Sequence, residues 1–315
     1  MVAEQEKITE PRQLLKQRTA NSIKEPASLF LNIIREVYKM SGQLEIICVG
    51  NELLIGKILN TNAHWLARHA TALGIMVERI TVIGDSISEI ATAVQEALQR
   101  KPRFIITTGG LGPTFDDKTL EGIAKALNRN VEVNQKALKM VKEKYEAYVK
   151  QGKMEKVELT PPRVKMATLP ENTEPLHNPV GTAPGVKIGI RKTVLIALPG
   201  VPPEMEAIFE ESIVPLLQKE ASGKTFFEKS IYVDAIMEST LAPLIDQAMH
   251  DNPAVYIKSH PRGDEKKPHI EIHFSTTARN PKTSEDCLEK AAVQLSDLIE
   301  KKGGKATMKN AVISL

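Results

Sequence analysis

A chain of 315 residues with 42% hydrophobic residues is long enough for one large or two ordinary domains with a buried core. Its net charge of +3 is close to balance, so charge alone indicates no polyanionic partner. Two cysteines exclude a disulfide framework, and both Cys48 and Cys287 fall at apolar positions, where we expect them buried in a reducing compartment. No apolar run is long enough to span a membrane and no signal-peptide core is present, which predicts a cytoplasmic protein.

Three segments follow one another along the chain. Residues 1–40 form a mixed-charge extension that ends in a predicted amphipathic helix from Ala27 to Tyr38, which we expect to pack on the body or on a second subunit. Residues 41–222 alternate strand and helix patterns. Residues 223–315 show a different pattern and form a predicted small second domain.

The alternation in residues 41–222 predicts an α/β fold, a three-layer parallel-type sheet with helices on both faces. The predicted strands are 45–50, 77–85, 104–106, 164–167, 185–190 and 194–200. The predicted helices are 62–74, 86–100, 116–127, a long helix that includes 137–148, and 202–217. Residues 160–162 are predicted to form a proline-rich loop.

The pattern after residue 223 reads strand, helix, hairpin and helix, which predicts a small two-layer α+β domain. Its predicted elements are a strand at 230–236, a helix at 239–250, hairpin strands at 254–259 and 269–276, and a helix at 283–302 capped by Thr283. His269, Glu271 and His273 alternate with apolar residues, and His260 lies on the partner strand. We expect this to be a solvated outer face, with a transition-metal site as the alternative.

A glycine turn in the stretch RFIITTGGLGPTFDDKT is the strongest candidate for a ligand site. A buried strand ends there, and a helix from Asp116 to Leu127 is predicted to follow, with Thr114 and Asp117 as its capping pair. Unpaired N–H groups and the positive end of a helix favour a phosphate. The predicted phosphate- or nucleotide-binding residues of this stretch are Thr108, Gly109, Gly110, Leu111, Gly112, Pro113 and Thr114.

Carboxylates accompany this turn. Asp116 and Asp117 would repel a bare phosphate, which indicates a divalent cation between them and the ligand, although Thr114 and Asp116 fit a simple helix cap equally well. The turn lacks the Walker lysine, so the chemistry of a P-loop ATPase is not expected.

Parallel strands carry their ligands at their carboxyl ends, where the other unusual residues of this body also lie. Glu52 follows the first strand and Asp85 the second, so Asp117, Asp85 and Glu52 are the predicted metal ligands. The last strand adds Pro199, Gly200 and Glu204 to the predicted binding site. A further loop is either an ordinary turn or a flap over the ligand, and it consists of Gly181, Thr182, Ala183, Pro184 and Gly185.

With these motifs assembled, the body resembles the molybdopterin-binding-fold family that includes MoaB, MogA and the gephyrin G domain, and most closely its CinA N-terminal branch. The matching segments are, in the same order, GNELLIGKILNTNAHWLA, VIGD, TTGGLGPTFDDKT, NPVGTAPG and LPGVPPEM. The last domain resembles the KH-type domain of CinA proteins but lacks the Gly-x-x-Gly loop, so we expect no nucleic-acid binding. The deamidase domain of full-length CinA proteins does not follow, and its activity is not expected.

The resemblance implies a pyrophosphatase that acts on ADP-ribose and on dinucleotides such as FAD with magnesium, manganese or cobalt. It makes Asp85, Asp117 and Thr119 the expected catalytic residues. Asn51 stands where many relatives have Asp, which leaves Glu52 as the better metal ligand. Two alternatives stay open, a protein that binds a molybdopterin or an adenine nucleotide without turnover and a molybdopterin adenylyltransferase. A homo-oligomer is also implied, either dimer or trimer.

Overall fold

The computed structural model describes residues 43–221, 223–262, 269–308 and 313–314, which form two compact units that divide after residue 226. The predicted helix from Ala27 to Tyr38 lies outside the described residues. None of the helices in the described part of the chain is long and apolar enough to cross a membrane.

The first unit combines eight described strands with eight α-helices. The strands are β1 (Gln43–Val49), β2 (Met76–Ile83), β3 (Phe104–Thr108), β4 (Val131–Val133), β5 (Thr168–Pro170), β6 (Glu174–Leu176), β7 (Gly185–Ile190) and β8 (Thr193–Leu198). The helices are α1 (Asn51–Leu54), α2 (Thr61–Ala72), α3 (Ile87–Arg100), α4 (Thr119–Leu127), α5 (Gln135–Lys150), α6 (Pro161–Lys165), α7 (Pro202–Ile208) and α8 (Val214–Ala221).

A six-stranded sheet in the order β2-β1-β3-β8-β7-β6 forms the centre of this unit. Its first four strands are parallel, and β7 and β6 run antiparallel to their neighbours. Alternate residues of β1 and β3 join two different cores: Ile47 and Ile105 pack on one face, and Ile46 and Ile106 pack on the other. Strands buried on both faces are typical of a sheet between two helix layers, so the predicted α/β fold is confirmed.

The helix after the glycine turn begins at Thr119, not at Asp116 as predicted. The predicted capping pair exists, but it closes a separate turn before the helix: the Asp117 carboxylate accepts hydrogen bonds from the N–H and hydroxyl groups of Thr114. Lys118 is the N-cap residue and makes no side-chain capping bond.

Two other local predictions for this unit differ from the structure in part. The predicted strand at 164–167 overlaps α6, because two prolines at the first helical positions suit a helix start, and the strand follows as β5. The predicted helix 202–217 extends to Ala221 and contains a π-helical segment, Phe209–Ile213, between α7 and α8.

The second unit contains an antiparallel sheet and two helices. Its elements are β9 (Thr225–Asp234), α9 (Glu238–Asp251), β10 (Tyr256–Pro261), β11 (His269–Ala278), α10 (Pro281–Glu300), β12 (Lys305–Met308) and β13 (Ile313–Ser314). The sheet order is β10-β11-β9-β12, and β13 also pairs with β9. The predicted order of strand, helix, hairpin and helix is confirmed, and β12 and β13 were not predicted.

Three predictions in this unit need correction. The last helix begins at Pro281 after Asn280, whose side chain accepts the Lys282 N–H at 3.0 Å, so Thr283 is not its cap. Cys287 is only partly buried, whereas Cys48 is buried as expected. Glu271 is 7% exposed, so the strand face that we expected to be solvated holds a buried carboxylate.

Candidate functional site

The carboxyl ends of β1, β2, β3 and β8 meet at one edge of the sheet and surround a cavity of about 380 Å³, called here the site cavity. The predicted site residues that line it are Glu52, Asp85, Thr108, Gly109, Gly110, Leu111, Gly112, Pro113, Asp117, Thr182, Ala183, Pro199, Gly200 and Glu204. The predicted residues that do not line it are Thr114, Thr119, Gly181, Pro184 and Gly185. The structure therefore brings most of the predicted site together.

The turn at Gly109 and Gly110 has a geometry that other residues rarely adopt. Their φ angles are +104° and +68°, and a Cβ atom on Gly109 would lie 2.2 Å from the Val49 carbonyl oxygen. The Gly109 N–H donates to the Leu198 carbonyl at 3.0 Å, and this bond ties the turn to the end of β8.

Three successive N–H groups of this turn are available to a ligand. Among the described residues, none accepts a hydrogen bond from the N–H of Gly110, Leu111 or Gly112. The N-terminus of α4 follows at Thr119, which adds the positive end of a helix dipole. Free N–H groups beside a helix N-terminus are suited to bind a phosphate.

Thr119 supports the turn from the buried side. It is fully buried, its hydroxyl donates to the Gly109 carbonyl at 2.8 Å, and its N–H donates to the Gly110 carbonyl at 3.2 Å. Thr119, which the resemblance names as catalytic, therefore lies behind the turn, where its hydroxyl and its main-chain N–H each hold one carbonyl group in place.

A lysine that the sequence did not point to holds the loop after the turn. The Lys165 ammonium donates to the main-chain carbonyls of Gly112 at 3.2 Å, Thr114 at 2.7 Å and Asp117 at 2.6 Å. These three bonds use all three donors of the ammonium group. Lys165 comes from α6, 48 positions from Asp117, and no motif links the two segments.

The acidic side chains are held by main-chain and hydroxyl donors. Asp85 accepts the Asn51 N–H at 2.9 Å, and Asp117 accepts the Thr114 N–H at 2.8 Å through one carboxylate oxygen. Asp116 shares the Thr114 hydroxyl donor with Asp117, and this hydrogen bond lowers the pKa of the exposed Asp116. Nowhere in the described ranges do three His, Cys, Asp or Glu side chains converge as a ready metal site.

Asn178 organises the second predicted loop. Its amide oxygen accepts the N–H of Gly181 at 2.7 Å, and its amide nitrogen donates to the Ala183 carbonyl at 2.8 Å and to Glu204 Oε2 at 2.7 Å. The loop is therefore anchored to the first turn of α7 and presents Thr182 and Ala183 to the site cavity. Asn178 precedes the glycine of the NPVGTAPG motif, so the motif itself contained this signal.

Asn62 is a second residue that the sequence analysis missed. Its amide nitrogen donates to Thr108 Oγ1 and to the Gly200 carbonyl, both at 2.9 Å, and so connects the start of α2 to the ends of β3 and β8. The Thr108 hydroxyl donates in turn to the Pro199 carbonyl at 3.0 Å. In the sequence, the feature that points to Asn62 as a site residue is its position after the first strand.

Comparisons with known proteins identify the family of this chain. Residues 45–219, more than half of the chain, match the family model of the probable molybdopterin binding domain. A protein of Sulfurisphaera tokodaii is 44% identical over 261 residues, which are 82% of this chain and 96% of that protein. A protein of Pyrobaculum arsenaticum is 44% identical over 266 residues, 84% of this chain and 97% of that protein.

Two solved structures are also similar. The protein CinA from Thermoplasma acidophilum, whose function is described as unknown, shows 40% identity and a TM-score of 0.49 over 55% of this chain and 98% of that one. A molybdopterin biosynthesis protein from Mycobacterium abscessus shows 16% identity and a TM-score of 0.39 over 57% of this chain and 94% of that one. By the family model and its full-length relatives, the chain belongs to the molybdopterin binding domain family.

Proposed function

We propose that this protein is a divalent-metal-dependent nucleotide pyrophosphatase that acts on ADP-ribose and FAD-like dinucleotides. One observation carries the proposal: Gly110, Leu111 and Gly112, whose N–H groups have no acceptor among the described residues, line the same cavity as the acidic residues Glu52, Asp85 and Asp117. The N–H groups are suited to hold a diphosphate, and the carboxylates are suited to hold a cation beside it.

The donor chemistry fits a small hard cation. Magnesium prefers oxygen ligands and is commonly held by one or two carboxylates together with water and substrate phosphates, so a preformed group of three protein ligands is not required. Asp85 and Asp117 each have one carboxylate oxygen in a hydrogen bond and the other oxygen outside those bonds. These two side chains, with Glu52, would hold the cation, which would polarise a phosphoryl oxygen and lower the pKa of a bound water.

The residues of the chain would bind and orient the substrate. The N–H groups at Gly110–Gly112 would donate to phosphoryl oxygens, where negative charge increases during the displacement. Thr119 and Lys165 would keep these donors in place through the carbonyls of Gly109, Gly112 and Asp117. Thr182 and Ala183, on the loop anchored by Asn178, would restrict access of bulk water to the diphosphate.

Binding without turnover is the second candidate function. It is favoured by the absence of a converging group of three metal ligands in the described part of the chain and by the hydrogen bonds that engage one oxygen of Asp85 and one of Asp117. In that case the site cavity would hold a nucleotide or a pterin, and the carboxylates would orient it.

Hydrolysis assays separate these functions. Purified protein is incubated with ADP-ribose, FAD or ATP in the presence of magnesium, manganese or cobalt, and AMP release is measured for the wild type and for Asp117→Asn. The exposed Asp246 on α9 gives a carboxylate control, Asp246→Asn, in the second unit.

The pyrophosphatase would be supported if AMP is released from ADP-ribose or FAD, if Asp117→Asn abolishes this release, and if Asp246→Asn retains it. Ligand binding without turnover under every metal would refute it and support the binding protein. Consumption of ATP only with a pterin present would instead indicate an adenylyltransferase. Self-association, which the resemblance implies, is tested separately by light scattering of the full chain.

A further inference from the structure

A second cavity, called here the side cavity, lies against the same glycine turn and has a volume of about 480 Å³. Gly110, Leu111, Gly112 and Asp117 line both cavities, so the turn forms a wall that they share. Both volumes fall in the range of small-molecule sites in proteins, roughly 300–1,000 Å³. The residues that carry the free N–H groups therefore border two spaces that are each large enough for one end of a ligand.

The walls of the side cavity are mainly aliphatic. Leu111 and Leu120 contribute from the turn and α4, Val131 from β4, and Leu159 and Val164 from the segment around α6. Val131 is 40% exposed and Leu159 is 37% exposed, so two aliphatic side chains open to solvent face a concave surface. Such walls favour a flat ring over a sugar, because buried hydroxyl groups without partners are costly.

Three charged residues line this cavity: Asp117 belongs to the shared wall, Lys165 is bonded to that wall, and the exposed Glu121 lies in the first turn of α4. The Lys165 ammonium has all three donors in hydrogen bonds to main-chain carbonyls, so it offers no further donor to a ligand. The Thr168 hydroxyl donates to the Val164 carbonyl at 3.1 Å and keeps only its acceptor capacity. Apart from the exposed Glu121, the part of the cavity away from the turn is mainly aliphatic and is thus suited to an uncharged ring.

We propose that the side cavity holds the nucleobase of the ligand whose diphosphate lies on the glycine turn, while the group on the other phosphate occupies the site cavity. This rests on the proposed function for the identity of the ligand. A molecule with a diphosphate in its middle and a bulky group at each end matches two cavities that share one anion-binding wall. A mononucleotide would leave one cavity empty, so the arrangement selects dinucleotide-type ligands.

Binding measurements test the proposal without relying on turnover. ADP and inorganic pyrophosphate are titrated calorimetrically, with magnesium, into the full chain as wild type, Val131→Gln, Leu159→Gln and Val133→Gln. Val133 is the matched control because it has the same residue type, strand and 40% exposed fraction as Val131 but lines neither cavity. All three residues are substantially exposed, and circular dichroism checks that each variant folds.

We expect Val131→Gln and Leu159→Gln each to weaken ADP binding about tenfold, the usual size of a change in one apolar pocket contact. The affinity for pyrophosphate, which has no ring, should change less than about twofold in these two variants. In Val133→Gln the affinity for either ligand should also change less than about twofold. Three results would each overturn the proposal. They are equal losses of affinity for ADP and pyrophosphate in the two wall variants, no loss of affinity for ADP, and wild-type protein that binds ADP no more tightly than pyrophosphate. If one wall variant fails to fold, the other carries the test.

The two proposals fail separately. The side-cavity proposal is supported and the pyrophosphatase is refuted if Val131→Gln and Leu159→Gln weaken ADP binding as expected but ADP-ribose releases no AMP. The pyrophosphatase is supported and the side-cavity proposal is refuted if AMP is released and the affinity for ADP does not depend on Val131 and Leu159.

Discussion

Lys165 and Asp117 are joined by a hydrogen bond of 2.6 Å from the lysine ammonium to the main-chain carbonyl of the aspartate. The same ammonium holds the carbonyls of Gly112 and Thr114, so the short helix α6 controls the shape of the loop that presents Asp117. A cation bound to three carbonyls also places positive charge behind an anion-binding turn.

Replacing this lysine should loosen the loop. Lys165→Met keeps the aliphatic stem and removes the charge and the three bonds, so we expect ADP affinity to fall about tenfold and stability to fall by about 2 kcal/mol, the scale of hydrogen bonds to a charged group. Lys165→Arg, which keeps the charge and several donors, should recover part of both losses. Calorimetric titration with ADP and urea denaturation measure these changes, and an unchanged ADP affinity in Lys165→Met would contradict the role assigned to Lys165.

Gly109 should tolerate no side chain. Gly109→Ala combines an unfavourable positive φ with a Cβ atom 2.2 Å from the Val49 carbonyl oxygen. The matched control is Gly152→Ala, because Gly152 has a φ of +70° and no atom near the position of its Cβ. We expect the control to lose about 1–2 kcal/mol, the cost of φ alone, and Gly109→Ala to lose about 1–3 kcal/mol more. Equal urea midpoints for the two variants would show that the turn can move away from Val49.

The sheet and the position of the site at its edge were predictable from the sequence. Apolar runs such as the one at 104–106 end at residue types that an ordinary strand end does not need. Parallel strands bring those ends together, however the loops between them fold. Family motifs then pointed to the same residues. The prediction of the site cavity used only information that is local in sequence or set by the sheet topology.

What the sequence did not show depends on contacts between distant segments. Lys165 lies near two prolines, and neither composition nor spacing relates it to the loop at Asp117. The pair Thr114 and Asp117 matched a helix-capping pattern, but the same hydrogen bonds also close a turn, and the pattern alone does not distinguish the two. Alternation in β11 predicted a polar face, yet β11 lies between β10 and β9 in the sheet, and Glu271 is buried there with Tyr232 of β9, 39 positions away, donating to it at 3.3 Å.

Thr119 provides a test of how a buried hydroxyl acts in this site. Its hydroxyl donates to the Gly109 carbonyl at 2.8 Å from a fully buried position, so Thr119→Val should leave that carbonyl without its partner and cost about 1–2 kcal/mol. Thr119→Ser keeps the hydroxyl and should retain most of the pyrophosphate affinity that the valine variant loses. Comparable affinity in both variants, measured by calorimetry, would mean that this bond does not position the turn.

Glu271 in the second unit is the buried carboxylate that the sequence analysis placed in solvent. Arg262 donates to one of its oxygens at 2.9 Å and 2.6 Å, and His273 Nε2 lies 3.1 Å from the other. Burial by itself raises the pKa of Glu271, but the hydrogen bonds from Arg262 and the nearby His273 ring outweigh it and lower the pKa below 4.5. The folded state therefore favours the ionised form more than the unfolded chain does.

The consequence is a specific loss of stability in acid. Because the folded pKa is depressed, the contribution of Glu271 is fully present above its unfolded value of 4.5 and is lost as pH falls through the lower folded value. We expect Glu271→Gln to cost about 1.5 kcal/mol at neutral pH, the scale of a hydrogen bond to a charged group, and the difference from wild type to shrink between about pH 5 and pH 3. Glu285→Gln, at an exposed position of α10, is the control and should track the wild type throughout. Urea denaturation of the full chain at each pH measures the difference, and a constant gap between wild type and Glu271→Gln down to about pH 3 would show that folding does not lower the pKa of Glu271.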